Sequence, residues 1–211
     1  MKKIWIDTET TGLNAKNISG LQHHQIIELA AICDDRIFHM YCKPKVQPYN
    51  YSEIEEITGI TWEFLEENGV SEAELYQKFV SFLDRIVDRY DKTDKLMLSG
   101  YNTKFDSEFI RSLFLKNNNT FYGSYFFSLN YEVMSEVAFL LVTEILPLLP
   151  NYKLETVCKE MGIKFKAHSA IEDIKATIKL NDKIQEKRRE WIKEEEKQTK
   201  DTEIPTKKLI M

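Results

Sequence analysis

Cysteine is scarce. Cys33, Cys42 and Cys158 are the only three in 211 residues, and no two form a CxxC pair. That excludes a disulfide framework and a thiolate zinc site, and it fits reduced, buried thiols in a cytoplasmic protein. Seven glycines and five prolines exclude collagen-like and proline-rich chains. Long apolar runs are absent as well. The longest stretch, 137–149, is broken by Glu144 and Pro147 and is too short to span a bilayer. The start, MKKIWIDTETTG, lacks a signal peptide's apolar region because Asp7 and Glu9 interrupt it. Basic residues are not in excess: 29 against 34 acidic give a net charge of −5, so no global nucleic-acid signature exists. That does not exclude nucleic acid, because a site rich in cation-binding carboxylates lowers the apo charge in the same way.

What is present suits one folded domain. Hydrophobic residues make up 43% and charged residues 30%, enough for a core and a solvated surface. Residues 4–9, IWIDTE, read as a strand with Ile4, Ile6 and Thr8 on one face and Trp5, Asp7 and Glu9 on the other. The apolar run 26–33 reads as a central strand. A turn at Asp34-Asp35 leads to a returning strand at 37–42, so three antiparallel neighbours open the chain.

Short helical pieces follow near 53–57 and 62–67. A strong amphipathic helix is expected over 71–90, with Ser71 and Glu74 as a capping box. Then come a strand at 96–99, a helix at about 106–117, a strand at 125–129 and a helix at 133–146. A short helix at 154–161 is closed by Gly162, and a last helix runs from Ser169 to about Lys197. Beyond Asn181 the composition turns charged. The division expected is a domain over 1–182 and a charged helix end with a flexible tail over 183–211. In that tail Trp191 and Leu209-Ile210-Met211 are the candidate anchors for a partner.

Asp7 and Glu9 sit two apart on one strand, hence on one face, about 6.5–7 Å apart along the backbone. Two divalent cations fit against such a pair. Alone, the pair equally reads as a strand end and a turn. Asp106, in YNTKFD, equally reads as a helix-capping acid with Thr103. Ser169 and Glu172 place a helix start at Ser169, which leaves His168 on a loop and Asp173 inside the helix. A loop base beside a rigid metal ligand is one reading; a surface histidine and a helix acid is the other. His23-His24 and His39 read as ordinary loop and strand histidines.

Taken together, the segments DTETTGL (7–13), YNTKFD (101–106) and HSAIED (168–173) resemble the three motifs of the DnaQ-type (DEDDh) 3′→5′ exonucleases, in their usual order. QIIELAAI (25–32), ITGIT (57–61) and KLETVCKEMGI (153–163) resemble flanking elements of that family, and the resemblance covers about residues 1–182. Tyr101 stands where the family usually has histidine, and 128–137 shows no clear equivalent of a further family aspartate.

The resemblance implies an α/β fold of the ribonuclease H-like kind, a mixed five-stranded sheet with helices on both faces. It implies that Asp7, Glu9, Asp106 and Asp173 bind two Mg²⁺ or Mn²⁺ ions and that His168 is the general base. Thr8, Thr11, Gly12, Leu13, Asn102 and Phe105 would meet the substrate, with Leu13 as the apolar wedge at the last base. Lys104, Arg111, Lys153 and Lys166 are further sources of charge. The activity implied is release of nucleoside 5′-monophosphates from a single-stranded or frayed 3′ end of DNA, of the proofreading or repair type. An RNA exonuclease is the alternative, and a non-catalytic nucleic-acid or polymerase-binding module a second one. A DNA polymerase held through the C-terminal tail is the protein partner this reading allows; no membrane is.

Overall fold

A computed structural model describes residues 1–15, 24–45 and 47–202, with side chains to residue 197. Five strands form one sheet: β1 (Lys2–Thr10), β2 (Ile26–Cys33), β3 (Arg36–Tyr41), β4 (Leu96–Gly100) and β5 (Tyr131–Glu132). Their order is β3-β2-β1-β4-β5. β1, β2 and β3 are antiparallel, whereas β1–β4 and β4–β5 are parallel. The mixed five-stranded sheet expected from the sequence is therefore present. β2 matches its expected span, as an apolar run in a central strand should.

Strand alternation sends side chains to two separate cores. Ile4 and Ile6 of β1 join Leu29 and Ala31 of β2 against α3 (Glu72–Leu83) and α4 (Thr103–Lys116). Trp5 and Ala30 face the other way, against α6 (Val133–Val142), α7 (Leu154–Glu160) and α8 (Ala170–Thr202). A small third cluster sits under α1 (Tyr51–Thr58) and α2 (Trp62–Asn68). Asp7 and Glu9 lie on the α8 side of β1 by the same alternation.

Several elements depart from expectation for local reasons. α3 keeps its Ser71 cap, whose hydroxyl accepts from the Glu74 amide at 3.2 Å. It stops at Leu83, however, seven residues short of Tyr90. There Asp88 and Asp91 side chains accept from Tyr90 and Thr93 amides, offering the backbone turns in place of helix. Residues 125–129 are not a strand. Tyr122–Tyr125 form a short helix, α5, and Tyr122, Tyr125 and Phe126 all pack on Phe114. Ring burial overrides strand propensity here; one bridge, Phe126 to Leu96, is all that segment adds to the sheet. α6 ends at Val142, where the Thr143 hydroxyl donates to the Phe139 carbonyl and Glu144 takes a left-handed turn at φ 58°.

α8 runs unbroken through positions 182 and 183. Its Trp191 is half-buried and meets Phe139 edge-on at 5.6 Å, so the fold itself occupies this candidate anchor. His23 and the tail segment Leu209-Ile210-Met211, read as a polymerase tether, lie outside the described residues. No helix among the described residues is long and apolar enough to cross a membrane.

Phe114 joins the two halves of the first core. It also meets Tyr76 of α3 edge-on at 5.4 Å. Phe114→Ala is expected to cost about 3–5 kcal/mol in urea unfolding; a loss below about 1 kcal/mol would contradict this packing.

Candidate active site

Asp7, Glu9 and Asp173 each present a carboxylate oxygen, and the three oxygens lie within 4.8 Å of one another. β1 supplies two of them by alternation, and the first turns of α8 supply the third. The sequence reading brought these residues together, and the structure places them together. Asp173 Oδ1 is buried with no hydrogen-bond partner. A buried, orphaned carboxylate oxygen inside an acidic cluster is costly unless a cation meets it. An all-oxygen set of this kind suits a hard divalent cation, so the residues present fit the metal site that the motifs imply.

Asp106 lies on the opposite side of the sheet, outside this group of three, and acts on Asp7 and Glu9 through its charge. It sits in the first turn of α4, but it does not cap its own helix. Its Oδ1 accepts from both the amide and the hydroxyl of Thr8, at 2.9 and 2.8 Å. Thr8 is only 6% exposed. Its amide and hydroxyl thus position Asp106.

Electrostatics follow from the crowding. Burial, then the charges of Asp106, Asp173, Glu9 and Glu28, push Asp7 well above the usual carboxylate range. Burial, reinforced by Asp173, raises Glu9 to about 8. Burial raises Asp106 to about 7 against the lowering effect of the Thr8 hydrogen bonds. Asp173 is raised to about 7, again by burial first, with the His168 backbone amide opposing. Without a cation the four acids cannot all ionise near neutral pH.

His168 is exposed, in left-handed backbone at φ 67°, two residues before α8. The Asp173 amide donates to the Ser169 carbonyl at 2.9 Å, which makes Ser169 the N-cap position and leaves His168 on the loop, as the sequence suggested.

The other expected substrate residues divide. Leu13 is 79% exposed beside the metal strand, as a wedge must be. Gly12 has φ 146°, and a Cβ there would lie 2.6 Å from the His24 ring. The turn needs glycine because His24 packs beneath it. His24 Nδ1 accepts from the Asn14 amide, and its own amide donates to the Asn14 carbonyl. Thr11 is buried, and its hydroxyl accepts from the Gln25 amide at 2.9 Å. It braces the turn and has no free face for a ligand. Asn102 is exposed in left-handed backbone at φ 65°. Phe105 is half-buried and packs on Phe109 at 4.9 Å. Arg111 lies over the Tyr122 ring at 4.0 Å, away from this cluster of acids, and Lys104 and Lys166 are exposed.

Sequence reasoning missed Glu132. Its carboxylate accepts from the amides of Asn102 and Thr103, at 2.7 and 2.6 Å, and from the Thr103 hydroxyl at 3.0 Å. It caps α4 from thirty residues away, and α4 therefore starts at Thr103, one turn earlier than expected. The same carboxylate accepts from the Met134 amide at the start of α6. No local pattern announces a cap supplied by another element. Tyr101, in the place of the family's usual histidine, donates its hydroxyl to the Tyr152 carbonyl and ties the loop before α7 to the sheet.

A family model described as Exonuclease (RNase_T) matches residues 4–181. Among solved structures, the zinc-bound complex of E. coli exonuclease I with single-stranded DNA is similar at 23% identity and TM-score 0.71, covering 88% of this chain and 40% of that one. E. coli exonuclease I in complex with a dA16 oligonucleotide is similar at 24% identity and TM-score 0.67, over 87% of this chain and 40% of that one. Exonuclease I from Methylocaldum szegediense gives 24% identity and TM-score 0.67, over 88% and 40%. At this identity the likeness shows the fold. The chain spans about 40% of the length of these relatives. No curated protein matches.

The raised acids set a pH dependence. A carboxyl whose folded value lies above its unfolded one favours folding when protonated, and that stability is lost as pH rises. The metal-free melting temperature is therefore expected to fall from about pH 5 to about pH 8, the window between ordinary carboxylates and the values above. Mn²⁺ is expected to raise it more at pH 8 than at pH 5. A melting temperature flat over this range, with a metal effect independent of pH, would contradict the crowding.

Proposed function

The chain belongs to the RNase_T exonuclease family, and from that premise we propose that it is a 3′→5′ exonuclease that hydrolyses DNA from its 3′ end and releases nucleoside 5′-monophosphates. The observation that carries this reading is the cluster of Asp7, Glu9 and Asp173 around the orphaned Asp173 Oδ1, with His168 beside it on a loop. The DNA substrate is supported by the exonuclease I structures that hold single-stranded DNA and dA16. The three free, buried cysteines suit a cytoplasmic setting.

Asp7, Glu9, Asp106 and Asp173 would hold two divalent cations, Mg²⁺ or Mn²⁺, whose chemistry when bound is to acidify a water and stabilise charge on a phosphate. Thr8 fixes one oxygen of Asp106, so that side chain is preorganised. Asp173 is held on a helix and His168 on the loop preceding it. That difference suits their parts: the ligand stays fixed, while the imidazole takes a proton from the attacking water at a ring nitrogen and passes it to solvent. A neutral imidazole offers a ring nitrogen lone pair that can accept that proton. Exposed Leu13 meets the terminal base, and the Gly12 turn, braced by Thr11 and His24, sets its position.

Asp7→Ala is expected to abolish turnover, by roughly 10³-fold or more, while leaving the metal-free melting temperature equal or higher, because a desolvated carboxyl is gone from the crowded cluster. Near-normal turnover would overturn the metal reading. His168→Ala is expected to lower kcat by roughly 10²-fold or more and to leave KM within a few-fold. A change confined to KM would make His168 a binding residue. The activity itself is tested by digesting single-stranded DNA, duplex DNA with a mismatched end, and RNA of matching sequence, with Mg²⁺, Mn²⁺ or EDTA. Metal-dependent mononucleotide release from DNA in preference to RNA is expected. The reverse preference would make it an RNA exonuclease; no release from any substrate would leave a binding module.

A further inference from the structure

β2 carries an anomaly. Its sequence is IIELAAIC, and in the middle of that apolar run Glu28 is only 1% exposed. The antiparallel registers set Glu28 opposite Glu9 on β1 and opposite Tyr41 on β3. All three therefore share one face of the sheet, the face of Asp7. Like charges directly opposite on neighbouring strands destabilise a sheet.

The groups facing Glu28 are few. From β1 and α8 come Asp7, Glu9 and Asp173, each raised in part by its charge. From β3 come His39 and Tyr41. His39 Nε2 donates to Glu28 Oε1 at 2.6 Å, and Tyr41 lies directly opposite Glu28 in the strand register. The two rings lie 5.1 Å apart, and Phe64 backs Tyr41 edge-on at 4.7 Å. The Glu28 carboxylate is thus gripped from the edge-strand side, away from Glu9.

Fold stability does not call for this arrangement. A buried ion pair is often matched or bettered by apolar residues of similar volume, and an apolar residue here would also end the clash with Glu9. The charge has a use once a cation sits among Asp7, Glu9 and Asp173. A further buried negative charge beside the ligand set attracts a doubly charged cation and raises its affinity.

We infer that Glu28, held by His39 and set opposite Glu9, strengthens divalent-cation binding among Asp7, Glu9 and Asp173 through its buried charge without being a ligand, an inference that rests on the exonuclease reading above. It is tested with the full chain and Mn²⁺, by electron paramagnetic resonance of free Mn²⁺ and by melting without metal. Glu28→Gln keeps the shape and removes the charge; Glu28→Met is a second neutral variant of similar volume. Both are expected to bind Mn²⁺ about tenfold more weakly, with a metal-free melting temperature equal to or above that of wild type. Mn²⁺ affinity within twofold of wild type in either folded variant overturns the inference. So does a lowered metal-free melting temperature in both, which marks a merely structural partner for His39. Wild type that binds no Mn²⁺ overturns the exonuclease reading along with it.

Discussion

Mutual repulsion among half-buried carboxylates is the constraint around which this structure is arranged. Asp7 and Glu9 share a strand face, Asp173 meets them from α8, and Asp106 arrives from the other side of the sheet. Burial removes the water that would screen them, and the charges of Asp106 and Asp173 add to its effect on Asp7 and Glu9. A fold that selected only for stability would not keep such a cluster. One that must hold doubly charged cations against a phosphate requires it.

The surrounding structure holds the acids still. Thr8 donates twice to one oxygen of Asp106. Glu132 fixes the start of α4, hence the position of Asp106 on it, by accepting from Asn102 and Thr103. His24 fills the space under Gly12 and so sets the turn that follows the metal strand. The His39 bond to Glu28 ties β3 to β2 on the same face. Preorganisation of this kind spares the site a rearrangement when a cation and a phosphate arrive.

Much of this was legible in the sequence, and the reasons are local. The alternation of IWIDTE placed Asp7 and Glu9 on one face, and the structure agrees because β1 is a regular strand up to a bulge at Thr10. The Ser169–Glu172 spacing placed the start of the last helix and left His168 outside it. What was not legible is tertiary. Glu132 caps a helix thirty residues earlier in the chain, Thr8 holds Asp106 across the sheet, and 121–127 folds into a knot of rings instead of a strand. The acid in IIELAAIC passed as part of an apolar run, because its meaning depends on strand register, which brings Glu9 and Tyr41 to either side of it. His39 likewise reads as an ordinary strand residue until its ring is seen on Glu28.

The central claim is that these acids hold protons until a cation displaces them. Calorimetry of Mn²⁺ binding at pH 7 in two buffers of different ionisation enthalpy counts the protons released. With Asp106 and Asp173 raised to about 7 and Glu9 to about 8, the account requires release of at least about one proton per chain. Binding with no proton release would show that the carboxylates were already ionised, and it would contradict the account.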